Sequence, residues 1–495
     1  MVGRVVRNTE REPEMAKRKR SKTKTKRKTA NSTPTGVIEL GNRRELFIDD
    51  YLIERLSNVE LRLQKPVPRN VAIDHDAPWE GNTSAYHTVF QDGKLFRAYY
   101  RGSHYDPSGN HYRPVVCYAE SRDGIEWYRP ELGLVNYQGS TRNNIVWDGI
   151  GAHNFAPFRD RNPDCREGEE YKALGSALAR TTEEQALYAF KSADGVHWSL
   201  ISEKPVITEG AFDSLNLAFY DPLRGCYVDY HRDSIYPDGM RVRNIMTCTS
   251  KDFRRWTKPQ WLNLGDAPVE HLYTNAVTPY HRAPHIYMGF PKRFVPDRGI
   301  PGNTAHGVSD AVYMTSRDGL HFKRWSEAFL RPGLQPERWE NRNNMTAWGI
   351  LETANDLPTA PKELSIFTTE GYYRGDACRL RRFTVRVDGF VSANAPLKGG
   401  ELITRPFTFA GGALSLNTST SAAGSVRVEI QDGDGKALKG YTLRDCNEIY
   451  GDYLDRMVTW KGIADVRSLA GKPVRLRFAL SDADLYGLQF TSLPV

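Results

Sequence analysis

Ser121-Arg122-Asp123-Gly124-Ile125-Glu126-Trp127 is one of four segments with the form Ser-x-Asp-Gly-x-x-aromatic in this 495-residue sequence. The other three are residues 192–198, residues 250–256, where Phe253 replaces the glycine, and residues 316–322. Their aspartates lie 71, 58 and 66 residues apart. An Asp-Gly pair supplies the positive φ of a tight hairpin, and the Ser and Asp side chains can hydrogen-bond to the local backbone. This spacing suits one four-stranded antiparallel sheet per repeat, which predicts the blades of a β-propeller.

The strands around these turns indicate how many blades the chain forms. Pairs of strands rich in aromatic and β-branched residues precede the motifs, and a fifth unit between residues 339 and 389 has the strands without the turn. We therefore predict an all-β chain with a five-bladed propeller over residues 37–397, in which an N-terminal strand at residues 46–53 completes the last blade. After Gly399-Gly400 the strands become short and alternating, which predicts a β-sandwich over residues 398–495.

The positive charge of the chain is concentrated at its N-terminus. Residues 1–36 carry 12 Lys or Arg and 3 Asp or Glu, a net charge of +9, whereas residues 37–495 carry 56 and 57, a net charge of −1. We expect residues 1–36 to be a disordered basic arm, and nucleic acid binding is expected only through this arm. No apolar stretch approaches the ~20 residues of a membrane helix, so no membrane span is expected.

Composition narrows the function classes further. The chain is 39% apolar, with 10 Trp, 25 Tyr and 20 Phe, which is typical of a folded protein. No apolar run of the kind found in a secretory signal follows the basic residues, so a cytoplasmic location is the default expectation. Its six cysteines are scattered without a Cys-x-x-Cys pair or a histidine at metal-ligand spacing, so we expect no metal and no cofactor.

The loops that lead into the first strand of each blade are the predicted ligand site, because these strands line the channel of a propeller and begin on one face. Each of the five loops carries an asparagine, and four carry a carboxylate beside an aromatic or histidine residue. For the asparagines a structural role as turn residues is the preferred explanation. Sugars stack on aromatic rings and hydrogen-bond to carboxylates and histidines, so the loops predict carbohydrate binding. The residues predicted from them are Trp79, Glu80, Asn82, His153, Asn154, Asp213, Glu270, His271 and Glu340.

Cleavage of a glycosidic bond needs one protonated carboxylic acid and one carboxylate that acts as base or nucleophile. Crowding of carboxylates and burial against aromatic rings raise the pKa of one member, as a general acid requires. We predict Glu270 as the acid, Glu80 or Asp213 as the base, and Glu340 as a binding residue. The second strand of each blade runs antiparallel to the first and ends on the face of the propeller where the first strand begins. The ends of these second strands predict the further binding residues Arg101, Tyr230, His231, Glu370 and Arg374.

With these features the sequence resembles the five-bladed β-propeller glycoside hydrolases, the group that includes families 32, 43, 62 and 68, often with an appended β-sandwich. The resemblance extends over residues 40–495 in architecture, and Trp79-Glu80-Gly81-Asn82 stands where family 32 has Asn-Asp-Pro-Asn/Asp-Gly. By position it implies Glu80 as base or nucleophile, and Asp213 or Glu270 as acid, in an enzyme that cleaves an oligo- or polysaccharide. The turns are also similar to the sialidase motif Ser-x-Asp-x-Gly-x-x-Trp, which is one residue longer than the motif in this sequence. The alternatives are a sialidase-like hydrolase, a non-catalytic carbohydrate-binding propeller, and a scaffold that binds nucleic acid through its arm.

Overall fold

The computed structural model describes residues 36–106, 108, 113–176, 185–302 and 305–493, so the predicted basic arm lies outside the described residues. The structure confirms the predicted all-β fold with a five-bladed propeller. The strands that precede the first blade are β1 (Ile38–Gly41), β2 (Glu45–Leu46), β3 (Ile53–Ser57), β4 (Glu60–Leu63) and β5 (Val67–Asp74). The helices in the described ranges are three-residue 3-10 turns at Pro237–Gly239, Pro336–Arg338 and Arg467–Leu469. None of these helices has the length and apolar character that a membrane crossing requires.

Each blade is one hydrogen-bonded, antiparallel sheet. The first blade contains β6 (Ala85–Asp92), β7 (Leu95–Gly102), β8 (Val115–Ser121) and β9 (Ile145–Trp147). The second contains β10 (Ala156–Arg159), β11 (Tyr171–Ser176), β12 (Leu187–Ser192) and β13 (Ser199–Leu200). The third contains β14 (Leu217–Asp221), β15 (Cys226–Ile235), β16 (Val242–Ser250) and β17 (Gln260–Trp261).

The fourth and fifth blades complete the ring. The fourth has six strands, which are β18 (His271–Leu272), β19 (Thr278–Tyr280), β20 (Ala283–Gly289), β21 (Lys292–Val295), β22 (Val308–Ser316) and β23 (Phe322–Leu330). The fifth contains β24 (Leu351–Thr353), β25 (Glu363–Glu370) and β26 (Arg379–Arg386), with β5 as its fourth strand.

The Ser-x-Asp-Gly hairpins form the turn that the sequence predicts. In the first blade the Ser121 hydroxyl accepts the backbone N–H of Gly124 at 2.9 Å, and Asp123 Oδ1 accepts two further backbone N–H groups at 2.8 and 2.9 Å. The φ angle of Gly124 is 74°, and Phe253, which replaces glycine in the third blade, has a φ of 61°. The hydroxyl of the motif serine accepts the same N–H in the other three turns, again at 2.9 Å. The motif therefore closes each hairpin by local hydrogen bonds.

The same turns also connect neighbouring blades. The Trp198 ring of the second blade lies edge-on to Tyr99 of the first blade, with 6.2 Å between ring centroids. The Tyr99 hydroxyl donates a hydrogen bond of 2.8 Å to the Gly195 carbonyl in the adjoining turn. Trp127 of the first blade contacts Phe367 of the fifth at 6.0 Å, across the point where the ring closes. Each aromatic residue thus buries apolar surface between two sheets.

The prediction that residues 46–53 close the ring is wrong. The strand that completes the fifth blade is β5, which pairs antiparallel with β26. In the predicted stretch, Leu46 and Ile48 pack into the core of the fourth and fifth blades. Phe47 and Leu52 instead pack into the core of the C-terminal strands. This segment is apolar on both sides because it lies between two domains, and that pattern cannot be distinguished by sequence from a buried blade strand.

The C-terminal strands and the first four strands form a separate β-domain. Its remaining strands are β27 (Val391–Ala395), β28 (Gly400–Thr404), β29 (Phe407–Phe409), β30 (Ala413–Asp432), β31 (Asp452–Met457) and β32 (Val474–Thr491). Along β32 the apolar residues from Val474 to Leu480 are buried at every second position, as one buried face requires. The strands β1 to β4 and β27 thus pair within this sheet, although the sequence assigned residues 37–397 to the propeller.

The inner strands give the channel two different ends. They begin near the loops before β10 and β14, and their far ends line a cavity of about 480 Å³ that includes Gln91, Asp221 and Glu352. Between the two ends, Trp348 donates its indole N–H to the Val277 carbonyl at 2.9 Å and stacks on Phe219. Phe219 and Trp348 belong to the core of the propeller and also line the cavity at the strand ends.

Candidate active site

Three residues predicted from the sequence meet at the mouth where the inner strands begin. Asp213 lies in the loop before β14, His153 lies in the loop before β10, and Arg101 is on β7. The distance from His153 Nε2 to Asp213 Oδ1 is 2.9 Å, and both ring nitrogens of His153 lie 3.2 Å from Arg101 Nη1. The Asp213 side chain is 41% exposed, so a ligand in the mouth can reach it.

Asp213 is held in its ionised form by its neighbours. The Tyr86 hydroxyl donates to Asp213 Oδ1 at 3.0 Å, and the Tyr273 hydroxyl lies 3.5 Å from Oδ2. Burial alone would raise the pKa of Asp213, but the His153 hydrogen bond and the nearby guanidinium groups outweigh it and lower that pKa well below its ordinary value. Burial and the Arg101 charge lower the pKa of His153. A carboxylate therefore faces the mouth at neutral pH.

Three basic residues lie around the ring of Tyr273, beside Asp213. The charged groups of Lys292, Arg232 and Arg243 lie 4.2, 4.7 and 5.5 Å from the centroid of the Tyr273 ring. Lys292 is fully buried, and its burial together with three nearby guanidinium groups lowers its pKa well below the ordinary value. The contacts of Arg232 and Arg243 with this ring are cation–π interactions, in which the aromatic face attracts the positive charge.

Two further arginines complete the group from the first and fifth blades. Arg101 lies 4.7 Å from the centroid of Tyr86, and its Nη2 donates to the Tyr372 hydroxyl and to the Thr83 carbonyl, both at 2.7 Å. Arg342, in the loop before β24, lies 5.7 Å from the ring of Tyr372. We refer to Arg101, Arg232, Arg243, Lys292 and Arg342 as the cationic ring.

The backbone around the mouth adopts costly conformations. Tyr86, Arg342 and Tyr373 have φ angles of 59°, 70° and 65°, in the left-handed region. The pairing of β6 with β7 shifts register between Ala85 and Thr88, so that Tyr86 lies in a bulge. Each such residue costs about 1–2 kcal/mol, and such strain concentrates at functional sites. The fold therefore fixes these three side chains at the mouth at some cost in stability.

Glu80, a predicted catalytic residue, lies in a separate buried cluster. It accepts a hydrogen bond of 2.6 Å from the Tyr100 hydroxyl and forms an ion pair of 2.6 Å with Arg129. Burial raises its pKa, although Arg129 and Tyr100 oppose the rise. The His87 ring stacks on Tyr100, and the His75 ring packs against Tyr100 at a tilt of 49°. The Glu80 side chain has no exposed surface, and Arg129 and Tyr100 bind it instead of the His153 and Tyr86 that bind Asp213.

Glu270 and His271, predicted from the fourth blade, lie one layer outside the cationic ring. Glu270 forms ion pairs with Arg293 at 3.2 Å and with Arg324 at 2.8 Å, and its side chain is 29% exposed. His271 Nδ1 lies 3.3 Å from Arg243 Nη1, so His271 contacts the ring through that arginine. The structure thus does not bring Glu270 into contact with Asp213.

Two predicted residues pair with each other beside the mouth. Glu340 is fully buried and forms an ion pair of 2.6 Å with Arg374. Glu340 also accepts the backbone N–H of Ala305 at 2.9 Å. Arg342, which follows Glu340 by two residues in the chain, belongs to the cationic ring. Glu370, in contrast, pairs with Arg379 and Arg381 on the neighbouring strand.

Tyr230 and His231 lie within the third blade. The Tyr230 hydroxyl donates to the Gly319 carbonyl, and His231 Nδ1 lies 2.5 Å from Asp229 Oδ1. Cys248 Sγ lies 3.4 Å from the same carboxylate, which gives this buried trio the composition of a metal site. Burial and the Asp229 charge raise the pKa of Cys248, so that without a metal ion it is a thiol that donates a hydrogen bond to Asp229.

The remaining predicted residues bond to protein groups. Trp79 donates its indole N–H to Asn144 at 2.7 Å. Asn82 donates to the Gly375 carbonyl of the fifth blade at 3.0 Å, and Asn154 donates to the Ser214 carbonyl of the third blade at 2.8 Å. The two asparagines therefore connect the loops of adjacent blades.

Comparisons with known proteins identify similar folds without a shared family. No protein-family model matches the sequence, and no curated protein matches it. Among solved structures, an N-acetylgalactosamine deacetylase from F. plautii is 13% identical, with 68% of this chain and 95% of that chain covered and a TM-score of 0.43. A glycosyl hydrolase from Bacteroides ovatus is 13% identical, with 67% and 95% covered and a TM-score of 0.41. The catalytic domain of a GH62 α-L-arabinofuranosidase from Coprinopsis cinerea is 11% identical, with 65% and 97% covered and a TM-score of 0.41.

Sequence reasoning missed most of the cationic ring. Arg232 and Arg342 lie inside segments that the blade pattern singles out, yet the carboxylates of those segments attracted attention instead. Lys292 and Arg243 are on β21 and β16, away from the blade starts. A sequence shows how many basic residues a chain has, but it does not show which of them lack an acidic partner, so no signal in one sequence could have grouped these five.

Proposed function

We propose that the chain is a glycoside hydrolase that binds an oligo- or polysaccharide at the Asp213 mouth of the propeller channel. The observation that carries the proposal is the state of Asp213, an accessible, ionised carboxylate fixed among tyrosine hydroxyls and a histidine. Tyrosine rings offer apolar faces for a sugar, and polar groups that converge on one point can orient it. Glu80 and Glu340, in contrast, have fully buried side chains.

The ionised state of Asp213 decides which role it can take. A carboxylate with a lowered pKa cannot donate a proton near neutral pH, but it can accept one from water or attack the anomeric carbon. We therefore assign Asp213 as the base or nucleophile. Glu270 is retained as the proposed proton donor, and it would have to leave Arg293 or Arg324 to reach a glycosidic oxygen.

The sequence-based relationship to the five-bladed glycoside hydrolases forms part of this proposal, as does a two-layer sandwich arrangement of the β-domain. The all-β propeller and the position of the mouth at the strand starts support it. A non-catalytic carbohydrate-binding protein would use the same mouth without turnover, and the experiment below separates the two.

The test compares Asp213→Asn with the wild type and with the control variant Glu203→Gln. Glu203 is an exposed carboxylate. A panel of plant, algal and bacterial polysaccharides is screened for released reducing ends. We expect the wild type and E203Q to cleave the same glycan, and D213N to lose about 10³-fold in kcat because the base or nucleophile is gone. A glycan that the wild type binds but does not cleave, or D213N activity equal to that of E203Q, would overturn the proposal.

Glu270→Gln tests the proton donor separately. An acid variant loses activity on natural glycans, about 10²-fold or more, but retains it on aryl glycosides whose phenol leaves without protonation. We expect this pattern for E270Q, whereas D213N loses activity on both kinds of substrate. E270Q kinetics equal to those of E203Q on natural glycans would remove Glu270 from the mechanism and leave the role of Asp213 intact.

A further inference from the structure

We infer that the mouth selects sugars that carry an oxyanion, either the carboxylate of a uronic acid or a sulfate ester, and that the cationic ring binds this group. The inference rests on the proposed function, because it names the substrate class of the same site. It is carried by the charges of the side chains, their partners and their unused hydrogen-bond donors.

The charge of the mouth is unbalanced. Within the described part of the chain, none of the five residues of the cationic ring forms an ion pair with a carboxylate. The carboxylate in their midst is Asp213, which is bonded to His153. Even with Lys292 counted as neutral, four guanidinium groups share one carboxylate, and an excess of three positive charges remains.

Two arginines elsewhere in this protein are neutralised by carboxylates, in contrast to the arginines of the mouth. Arg317 pairs with both Glu45 and Asp49, and Arg381 pairs with Glu370 through two bonds of 2.7 and 2.8 Å. Gathering like charges without counter-charges destabilises a folded chain, because each one repels the others through a medium of low polarity. A bound anion removes this cost, so the arrangement favours anionic ligands.

Hydrogen-bond donors are also left unused around the mouth. Arg101 Nε, Arg232 Nη1, Arg243 Nε and Arg342 Nε are buried and have no acceptor among the described residues. Buried N–H groups are paired in folded proteins, with rare exceptions. Buried arginine donors without an acceptor also occur elsewhere in the described residues, but those arginines have carboxylate partners. The four arginines of the mouth have none within the described ranges, which favours an acceptor supplied by a ligand.

The geometry fits a multidentate oxyanion better than a neutral hydroxyl. Guanidinium groups present planar, paired N–H donors that match the oxygens of carboxylates and sulfates. The aromatic rings of Tyr273, Tyr86 and Tyr372 hold the arginines by cation–π contacts, so they are oriented before the ligand arrives.

The chemistry of the proposed reaction leads to the same conclusion. Glycosidic cleavage builds positive charge on the sugar ring in an oxocarbenium-like transition state. Excess positive charge beside that ring would oppose cleavage of a neutral sugar. An anionic substituent on the sugar offsets the cationic ring and leaves Asp213 free to stabilise the transition state.

Matched pairs of glycans test the inference by binding alone. Full-length D213N is titrated calorimetrically with oligosaccharides of galacturonate and glucuronate, and with the same compounds after reduction of their carboxyl groups. Sulfated oligosaccharides and their desulfated counterparts form the second arm. We expect one acidic series to bind about 10- to 100-fold more tightly than its neutral counterpart, and the advantage to shrink as salt is added. Equal binding of acidic and neutral partners would overturn the inference.

Arg342→Gln tests whether the cationic ring causes the preference for acidic glycans. Arg255→Gln is the control, because the Arg255 side chain is 93% exposed. We expect R342Q to weaken binding of the acidic glycan about 10-fold and to leave that of the neutral one unchanged. Unchanged acidic binding in an R342Q protein with wild-type melting behaviour contradicts the role of the ring. Arg101→Gln serves the same purpose if R342Q does not fold.

The two proposals fail in different ways. If the wild type binds acidic glycans but does not cleave them, the proposed hydrolase activity is contradicted and the proposed oxyanion site is supported. A neutral glycan cleaved with D213N-sensitive kinetics, together with no preference for acidic ones, would remove the oxyanion site and retain the hydrolase. Absorbance of an unsaturated uronate in the product would show cleavage by elimination, which retains the oxyanion site and removes the hydrolase.

Discussion

At the scale of single residues, the properties of Asp213 come from its neighbours more than from its position in the chain. Its loop carries a carboxylate and an asparagine, as do the loops of three other blades, yet Asp213 alone among the predicted acids bonds to His153 and Tyr86. The partners that lower its pKa come from three other blades or strands. Its contribution to folding stability is therefore complete above the ordinary pKa of an aspartate and is lost as pH falls from there toward its lowered pKa.

His153→Ala tests this dependence through the pH profile of kcat/KM. Without the imidazole the pKa of Asp213 rises, because burial continues to oppose ionisation and one of the stabilising hydrogen bonds is gone. We expect the acid limb of the kcat/KM profile to lie at higher pH in H153A than in the wild type. The control is His197→Ala, which removes a histidine from an exposed turn. An acid limb that H153A leaves unmoved would contradict the assignment of Asp213.

At the scale of elements, the hairpin turns determine how the blades meet. A Cβ atom added at Gly195 would lie 2.8 Å from the Tyr99 hydroxyl of the neighbouring blade, and Gly195 has a φ of 81°. Gly133 has a similar φ of 73°, but nothing lies within 4 Å of its added Cβ. The two glycines thus separate backbone strain from contact between blades.

Substitution of each glycine by alanine measures how much backbone strain and contact between blades each contribute to the free energy of unfolding. We expect Gly133→Ala to lower the free energy of unfolding by about 1 kcal/mol, which is the cost of a side chain in the left-handed region. Gly195→Ala should lower it by about 1–3 kcal/mol more, because the new methyl group displaces Tyr99. Denaturant unfolding of both variants gives the difference. Equal losses would show that the turns do not hold adjacent blades together.

The turns could be predicted from the sequence because their hydrogen bonds are local. The prediction failed where contacts between distant segments determine the structure. Ser121, Asp123 and Gly124 satisfy one another within a few residues, so the repeat is visible in the sequence. The closing strand β5 is only partly buried and has little alternation, and nothing in its residues indicates β26 as its partner. Arg101, His153 and Asp213 were predicted as candidates, but the cationic ring depends on five segments that meet only in the folded chain.

At the scale of the whole molecule, buried ion pairs join the propeller to the β-domain. Glu45 on β2 pairs with Arg317 of the fourth blade at 2.5 Å and lies 3.3 Å from His285 Nε2. Arg317 also pairs with Asp49. Asp388 accepts a hydrogen bond of 2.6 Å from Tyr280. These contacts fix the N-terminal segment between the two domains.

The interface should weaken in acid. Burial would raise the pKa of Glu45, but Arg317 and His285 outweigh it and lower the pKa from 4.5 to about 2. Because the folded pKa is below the unfolded one, the stabilisation is complete above about pH 4.5 and is lost as pH falls toward about 2, with about 3 kcal/mol at stake. Glu45→Gln should therefore be less stable than the wild type at pH 7, and the gap should close as pH falls. Glu203→Gln serves as the exposed control, and a gap that stays constant from about pH 7 to 3 would contradict this linkage.

The location of a bound sugar tests the account most directly. A crystal structure of D213N soaked with an oligosaccharide that the wild type cleaves would show it. We predict a sugar ring over residue 213, with an oxyanion of that sugar within hydrogen-bond distance of Arg342 or Arg101. A sugar bound instead in the cavity at the opposite end of the channel, near Gln91 and Glu352, or on the β-domain would contradict the account.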